Sequence, residues 1–463
     1  MSRLSLGLRL ATVSAVAVLS SGCILKDIPL GTGYAAKYMC SGLWVSGLNE
    51  DRLRDDYIAP QVSPLPLIWE FDIDYSMQTV SVRDRLLGQT NRHTAYFREG
   101  IGCTLVQDEA LSTLDDQAPE LVSPPTLNPF TAWPHGSSSI AELSPYFDHN
   151  ALDQALESAF VDTDEEAPRN TLAVAVVHRG TLVAERYADH IDRDTPLLSW
   201  SMAKTITAMG IGALVSEQRL NPAAPAPVDA WAGTEKAGIT LEHLLHMSAG
   251  LQWNEAAQGD DPDQGYGLFE VSDMAAYYAD KPVESAPGTV FNYSTGQSNL
   301  LARIAQQEVG GTLNDYYQFI NQALFQPLGI TSAVVEFDVS GHPVGGAFHY
   351  LTARDWARLG LLLQRGGDWF GEQVLSAQWV SAMTQPSPAN PSYGYQTWLN
   401  TDQAFWPSLP AGTFAMRGFQ GQVVMIIPEH ELVIVRAGVT FTGDEGAGIE
   451  ALAQDIIRAK APR

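Results

Sequence analysis

The chain reads as an α+β protein: one antiparallel sheet built from the two ends of a large domain, helices packed on that sheet, and a small amino-terminal module held by a disulfide. Three observations predict this. Strand-like runs open and close the region after residue 145, helical periodicity fills the stretch between them, and the first 140 residues carry a cysteine pair and a different texture. A length of 463 residues with 45% hydrophobic and 17% charged content allows a large core and excludes a disordered chain. The 53 acidic residues against 27 basic ones give a net charge of −26, which argues against a nucleic-acid partner, because such binding draws on a positive surface.

Residues 1–22 read as a signal peptide. Arg3 and Arg9 precede an apolar stretch from Leu10 to Leu19, and the first acidic residue is Asp27. The small residues Ser20, Ser21 and Gly22 before Cys23 resemble a lipoprotein processing site, so Cys23 is the expected lipidation site and residues 23–33 the tether. An ordinary cleaved leader with an incidental Cys23 is the second reading. Either one predicts export, on the periplasmic side of a bacterial membrane. No later apolar run reaches the 18 or more residues of a membrane-spanning helix, so the membrane is expected as a partner only through the lipid.

In an oxidising compartment Cys40 and Cys103 are expected to pair, with separately buried thiols as the alternative. Such a loop contributes roughly 4 kcal/mol in the chain-entropy picture. The bridge would staple residues 34–106 into a β-rich module with a modest core of its own, with strand-like runs at Thr79–Val82 and Thr94–Val106. Residues 107–144, rich in Pro, Ser and Asp, read as a linker or a wrapped arm.

From residue 145 to 463 the text becomes regular. Thr171–Val177 and Thr181–Tyr187 flank His178-Arg179-Gly180, a hairpin signal. Helical spacing follows in Ala203–Gln218, Leu241–His246, Ser298–Glu308 and Ala353–Gln364. Val423–Ile427 and Leu432–Ala437 close the sheet, and Ile449–Ala459 reads as a final helix.

The chemistry starts at Ser199-Trp200-Ser201-Met202-Ala203-Lys204. Ser201 stands where a loop enters a helix, so its amide belongs to the unsatisfied first turn and can donate to an oxyanion. Lys204 is one helical turn on, which brings its amine beside the Ser201 hydroxyl. A lysine desolvated in a cleft loses its proton near neutral pH and can activate a serine. Ninety residues later, Tyr293 sits on a loop before a helix and could share that proton, provided its phenol pKa falls beside the Lys204 ammonium. Which of Lys204 and Tyr293 is the base stays open.

Together these elements resemble the serine β-lactamase and penicillin-binding-protein superfamily, in particular its class C-like serine hydrolases and the 6-aminohexanoate-dimer hydrolase branch. Ser201-Met-Ala-Lys204 is similar to the first motif and Tyr293-Ser294-Thr295 to the Tyr-x-Asn motif. Leu244-Leu245-His246-Met247-Ser248-Ala249-Gly250-Leu251, Pro287-Gly288-Thr289 and Thr352-Ala353-Arg354-Asp355-Trp356-Ala357-Arg358-Leu359-Gly360 also resemble family segments, and the likeness covers residues 145 to 460. The resemblance implies an α/β/α sandwich with an all-α subregion, and acyl transfer without cofactor or metal on a small ester or amide. Thr295 stands where the family usually has asparagine, and the Lys-Thr-Gly or His-Thr-Gly motif is absent in letters. Counting back from Gly418-Phe419-Gln420-Gly421-Gln422 places that strand at Thr413–Met416, with Met416 as second oxyanion amide and Arg417 as a substitute carboxylate clamp. Trp200 and Trp253 are candidates to line the cleft, with burial in the core as their other role. A penicillin-binding or cell-wall-associated protein with little turnover is the alternative function.

Other chemistries lack their signatures. His243 and His246 lie one turn apart without an evident third ligand, and neither a Gly-x-Ser-x-Gly elbow nor a glycine-rich phosphate loop occurs.

Overall fold

A computed structural model of the chain describes residues 23–62, 68–85, 88–107, 111–138, 144–162, 164, 168–256, 261–442 and 446–461. The leader, residues 1–22, lies outside them. No helix among the described residues is long and apolar enough to cross a membrane.

The centre of the molecule is an antiparallel sheet whose strands come from both ends of the large domain. Among the described residues it runs in the order Trp398–Leu399, Phe414–Gly418, Gln422–Ile427, Leu432–Gly438, Thr171–His178, Thr181–Tyr187. The Arg179-Gly180 turn has positive φ at both positions, +53° and +77°, the geometry that joins two right-twisted strands tightly. Alternation along the strands divides the burial. Val174, Val176, Met425 and Ile434 face the helices His149–Phe160 and Ile449–Arg458, whereas Ala175, Val177, Val424 and Val433 face the other core. Helix Ala353–Gln364 lies on that second face. It can press close because Gly360 has no side chain: a Cβ there would stand 2.6 Å from Val433 Cγ1 and 2.7 Å from Val424 Cγ1. Beyond this helix a helical region carries Ala203–Ser216, Leu241–Leu245 and Thr295–Val309.

The amino-terminal part differs from the expected tethered module in three respects. Helix α1 (Cys23–Trp44) includes residues 23–33, and Ile28 and Leu30 in it are buried. These apolar side chains fold back onto the protein instead of leaving a free tether. The run Thr94–Val106 is two strands, β3 (Gly88–Arg98) and β4 (Gly102–Val106), turned at Glu99–Ile101 and preceded by β1 (Trp69–Asp74) and β2 (Thr79–Asp84) in one sheet. Helix α1 packs on this sheet, and the Cys40–Cys103 disulfide joins it to β4. Finally, the module has no separate core. Val80, Val82, Ala95 and Cys103 belong to the same buried cluster as Trp200, Ile206 and Leu300.

One buried carboxylate explains that continuity. Glu336, from the large domain, pairs with Lys37 and accepts from Ser41 Oγ and Cys103 N, each at 2.7 Å. Gly102 clears its path, since a Cβ there would come within 2.5 Å of Glu336 Oε1. The Pro/Ser-rich stretch is also engaged. Trp133 is buried, Arg358 donates to Pro134 O at 3.1 Å and Gly136 O at 3.2 Å, and Arg354 donates to Ser137 O at 3.0 Å.

Removing one partner of a buried pair strands the other charge. Lys37→Met is therefore expected to lower unfolding free energy by about 3–5 kcal/mol. Adding Glu336→Gln, which keeps an acceptor and removes the charge, should recover part of that loss in urea titration. Equal stability of Lys37→Met and wild type would refute the pairing.

Candidate active site

The nucleophile turn is made by a strained residue. After the short strand Leu197–Leu198, Ser199 N donates to His349 O at 2.8 Å and Ser199 Oγ accepts from His349 N at 3.2 Å, which fixes the chain at its entry. Trp200 then takes φ +45°, a value that bulky residues rarely adopt. The 3₁₀ turn Trp200–Met202 leads directly into helix Ala203–Ser216. Ser201 is half-buried at its mouth and Lys204 is 1% exposed.

Lys204 Nζ has three neighbours: Ser201 Oγ at 3.0 Å, Thr295 Oγ1 at 2.9 Å and Gly346 O at 2.8 Å. A neutral amine carries two protons and one lone pair. The Gly346 carbonyl only accepts, and Thr295 is committed as an acceptor because its own proton goes to Glu255 Oε1. Both amine protons are thus assigned, and the lone pair is left for the Ser201 hydroxyl. Burial brings the Lys204 pKa down to about 8, while the neighbouring Glu255 carboxylate holds it up against a further fall.

Glu255 was not visible in the sequence as a site residue. It also accepts from Thr295 N at 2.7 Å and from Trp253 Nε1 at 2.5 Å. The first of these is an orphan amide at the start of helix Thr295–Val309, where a carboxylate is favoured. The available signal was the family asparagine replaced by Thr295, which needs a partner of its own to orient Lys204.

Tyr293 lies just ahead of this helix, whose cap is Ser294, accepting from Gln297 N at 3.2 Å. The segment His246–Leu251 holds its loop. Met247 O accepts from Asn292 N at 2.7 Å, and Gly250, at φ +80°, has no room for a side chain against Ser285 O. Lys204 Nζ stands 5.0 Å from the Tyr293 ring centroid. The phenol pKa does not fall as expected. Burial pushes it well above the usual tyrosine value, and Glu255 adds to this, while Ser201, Arg417 and Trp398 oppose it. Tyr293 is therefore a neutral phenol, suited to donating a proton.

The third side of the site is the strand Phe414–Gly418, which begins and ends later than the expected Thr413–Met416. Met416, expected as an oxyanion amide, is buried within the sheet opposite Val424. Gly418 is the residue that meets the nucleophile turn: a Cβ there would stand 2.2 Å from Ser199 O and 3.2 Å from Ser201 N. Arg417 lies over the rings of Phe405 at 4.6 Å, Trp398 at 5.2 Å and Trp406 at 5.6 Å. Trp200 and Trp253 are buried, with indole N–H groups on Gln420 and Glu255, so they support the site from behind. His243 Nδ1 accepts from Thr240 N in a helix cap, and His246 packs on Tyr395.

A serine, a buried amine and a phenol meet on a sheet-and-helix frame of the beta-lactamase type, that of a serine hydrolase family. The chain belongs to the beta-lactamase family, whose model matches residues 156–456. It is 24% identical over 353 residues to a 6-aminohexanoate-dimer hydrolase of Paenarthrobacter ureafaciens, covering 67% of this chain and 87% of that one. EstCE1, a hydrolase with promiscuous acyltransferase activity, is similar in structure with a TM-score of 0.55 and 18% identity over 66% of this chain and 98% of its own. A penicillin-binding protein homologue of Caulobacter crescentus has a TM-score of 0.52 and 18% identity, covering 68% and 99%. These two structures show the shared fold.

The pH dependence follows from Lys204. A base must be neutral to act, so kcat/KM on an ester is expected to rise with pH through an apparent pKa near 8. Glu255→Gln removes the charge that holds this value up, so the acidic limb should move to lower pH. A limb that stays in place, or moves up, would contradict the arrangement.

Proposed function

We propose that the chain is an exported serine hydrolase that cleaves ester or small amide bonds through an acyl-enzyme on Ser201. The observation that carries this reading is the buried Lys204 amine, 3.0 Å from Ser201 Oγ and held by Thr295 Oγ1 and Gly346 O, so that in its neutral form the lone pair is left for the serine hydroxyl. Lys204 takes the serine proton as Oγ attacks the carbonyl carbon. The developing oxyanion lies at the Ser201 amide, with a second donor from the Gly418–Phe419 end of the strand in place of Met416. The carbon–leaving group bond then breaks as the Tyr293 phenol supplies a proton to the departing oxygen or nitrogen, and the Lys204 ammonium restores that phenol. Water, deprotonated by the same pair, releases the acyl group and regenerates Ser201.

The name of the Paenarthrobacter relative supports a small amide, and that of EstCE1 is compatible with esters. Arg417, already laid across three rings, is a poor carboxylate clamp for a β-lactam. A panel of p-nitrophenyl esters, small amides and nitrocefin, with fluorophosphonate labelling of wild type and Ser201→Ala, tests the reading. Ester or amide turnover with labelling lost in Ser201→Ala is expected. A long-lived penicillin adduct without turnover would favour a binding protein, and no label at all would end the acyl-enzyme proposal.

Export and a lipid on Cys23 belong to the same proposal. They are supported by the leader-like residues 1–22 and by a disulfide that suits an oxidising compartment. In a bacterial host the full chain is expected to take up radiolabelled palmitate and fractionate with membrane, and Cys23→Ser to lose the label. Unlabelled wild type would leave an ordinary cleaved leader.

A further inference from the structure

We propose that the amino-terminal helix Cys23–Trp44, which lies ahead of the family match, is a positioning element of the active site: Tyr34, Tyr38 and Gln420 together hold Trp200, and through it the Ser201 turn. The inference rests on the acyl-enzyme reading of Ser201.

Trp200 needs holding. Its φ of +45° is sustained only where the surroundings over-determine it, and the next residue is the nucleophile. Four rings enclose its indole. Phe419 packs on it at 5.5 Å and Phe348 at 5.9 Å, both from the large domain. The other two come from the amino-terminal helix: Tyr34 stacks on it at 6.2 Å with planes 6° apart, and Tyr38 lies at 6.2 Å. The indole N–H donates to Gln420 Oε1 at 2.9 Å, and the same oxygen accepts from Tyr38 OH at 3.4 Å.

Gln420 gives this cluster its bearing on catalysis. It sits two residues after Gly418, at φ +62°, on the turn that continues the oxyanion edge. Its backbone is fixed as well, since Gln420 O accepts from Thr440 N at 3.1 Å and from Arg436 Nη1 at 3.3 Å. One amide oxygen therefore ties together the residue before the nucleophile, the strand end that meets the Ser201 amide, and a helix from outside the family's domain. That helix is anchored in turn. The disulfide joins Cys40 to Cys103, Lys37 pairs with Glu336, and Lys37 Nζ lies 4.3 Å over the Phe348 ring that also packs on Trp200.

Full-length Tyr34→Leu, Tyr34→Phe and Gln420→Met test this against wild type. The readouts are kcat and KM on a p-nitrophenyl ester, the rate of fluorophosphonate labelling at Ser201, and the thermal midpoint. Tyr34→Leu and Gln420→Met are expected to lower kcat and labelling rate by about tenfold to a hundredfold, because a small misplacement of reacting groups costs rate rather than affinity. KM should stay within about twofold, as expected when the lost interaction serves the transition state. Tyr34→Phe keeps the stacked ring and should restore wild-type kcat. Gln420→Met matches the glutamine in length and removes the side-chain amide whose oxygen accepts from Trp200 and Tyr38, so it decides the matter if Tyr34→Leu does not fold. Folded variants that label and turn over like an active wild type would overturn the inference and leave the acyl-enzyme reading intact. A wild type inert to both probes would overturn both.

Discussion

The rest of the structure depends on keeping one lysine amine out of water with its hydrogen-bonding directions already assigned. Lys204 has a pKa of about 8 against an ordinary 10.5, which corresponds to roughly 3 kcal/mol of bias against its ammonium form. A bias of this size requires a wall without gaps. The wall comes from three distant parts of the chain: the buried helix that bears Lys204, the start of helix Thr295–Val309, and the backbone at Gly346. Gly346 has to be glycine for the last of these, because a Cβ would sit 2.8 Å from the Thr295 carbonyl oxygen. The antiparallel sheet then brings the Gly418 end of its strand against the mouth of the same helix.

Desolvation alone would overshoot. An amine buried among apolar groups could not hold the serine proton once it had taken it. Glu255 is the counterweight: close enough to raise the Lys204 pKa, yet separated from the amine by the Thr295 hydroxyl. The threonine is thus a bridge between an acid and a base. It can replace an asparagine in orienting Lys204 because the carboxylate fixes which way its hydroxyl proton points. The same carboxylate raises the Tyr293 pKa, which keeps that phenol protonated. Glu255 therefore acts on both neighbours in one direction: it limits the fall that burial imposes on the amine and adds to the rise that burial imposes on the phenol.

What could be seen in the sequence was local. The one-turn spacing of Ser201 and Lys204, the Arg179-Gly180 hairpin and the strand-like runs at both ends of the domain each depend on neighbours a few residues apart. What could not be seen was set by tertiary approach. Glu255 stands in a coil with no periodicity and gains its role only from Thr295, forty residues on. The strand runs two residues past Met416 to Gly418, where the lack of a side chain lets it pass close to Ser199 O, an approach that tertiary packing sets. Residues 23–33 resembled a tether since a signal for processing says nothing about what the following residues bury. The phenol of Tyr293 moved opposite to expectation because its burial and the Glu255 carboxylate outweigh the opposing Ser201, Arg417 and Trp398, a balance that only packing determines.

The amino-terminal module shows the same logic at larger scale. A buried ion pair is a weak source of net stability, since desolvation of both charges offsets most of their attraction, yet it penalises any misplacement that separates them. Lys37 and Glu336 thus act chiefly as a register device between helix α1 and the large domain. The disulfide fixes the same helix to β4. With rotation and sliding of α1 both restricted, its aromatic face has one place to go, the indole of Trp200. A rigid covalent and ionic frame around a stacked aromatic cluster is what sustaining a strained backbone beside a nucleophile requires, and the family's own domain supplies only half of the rings.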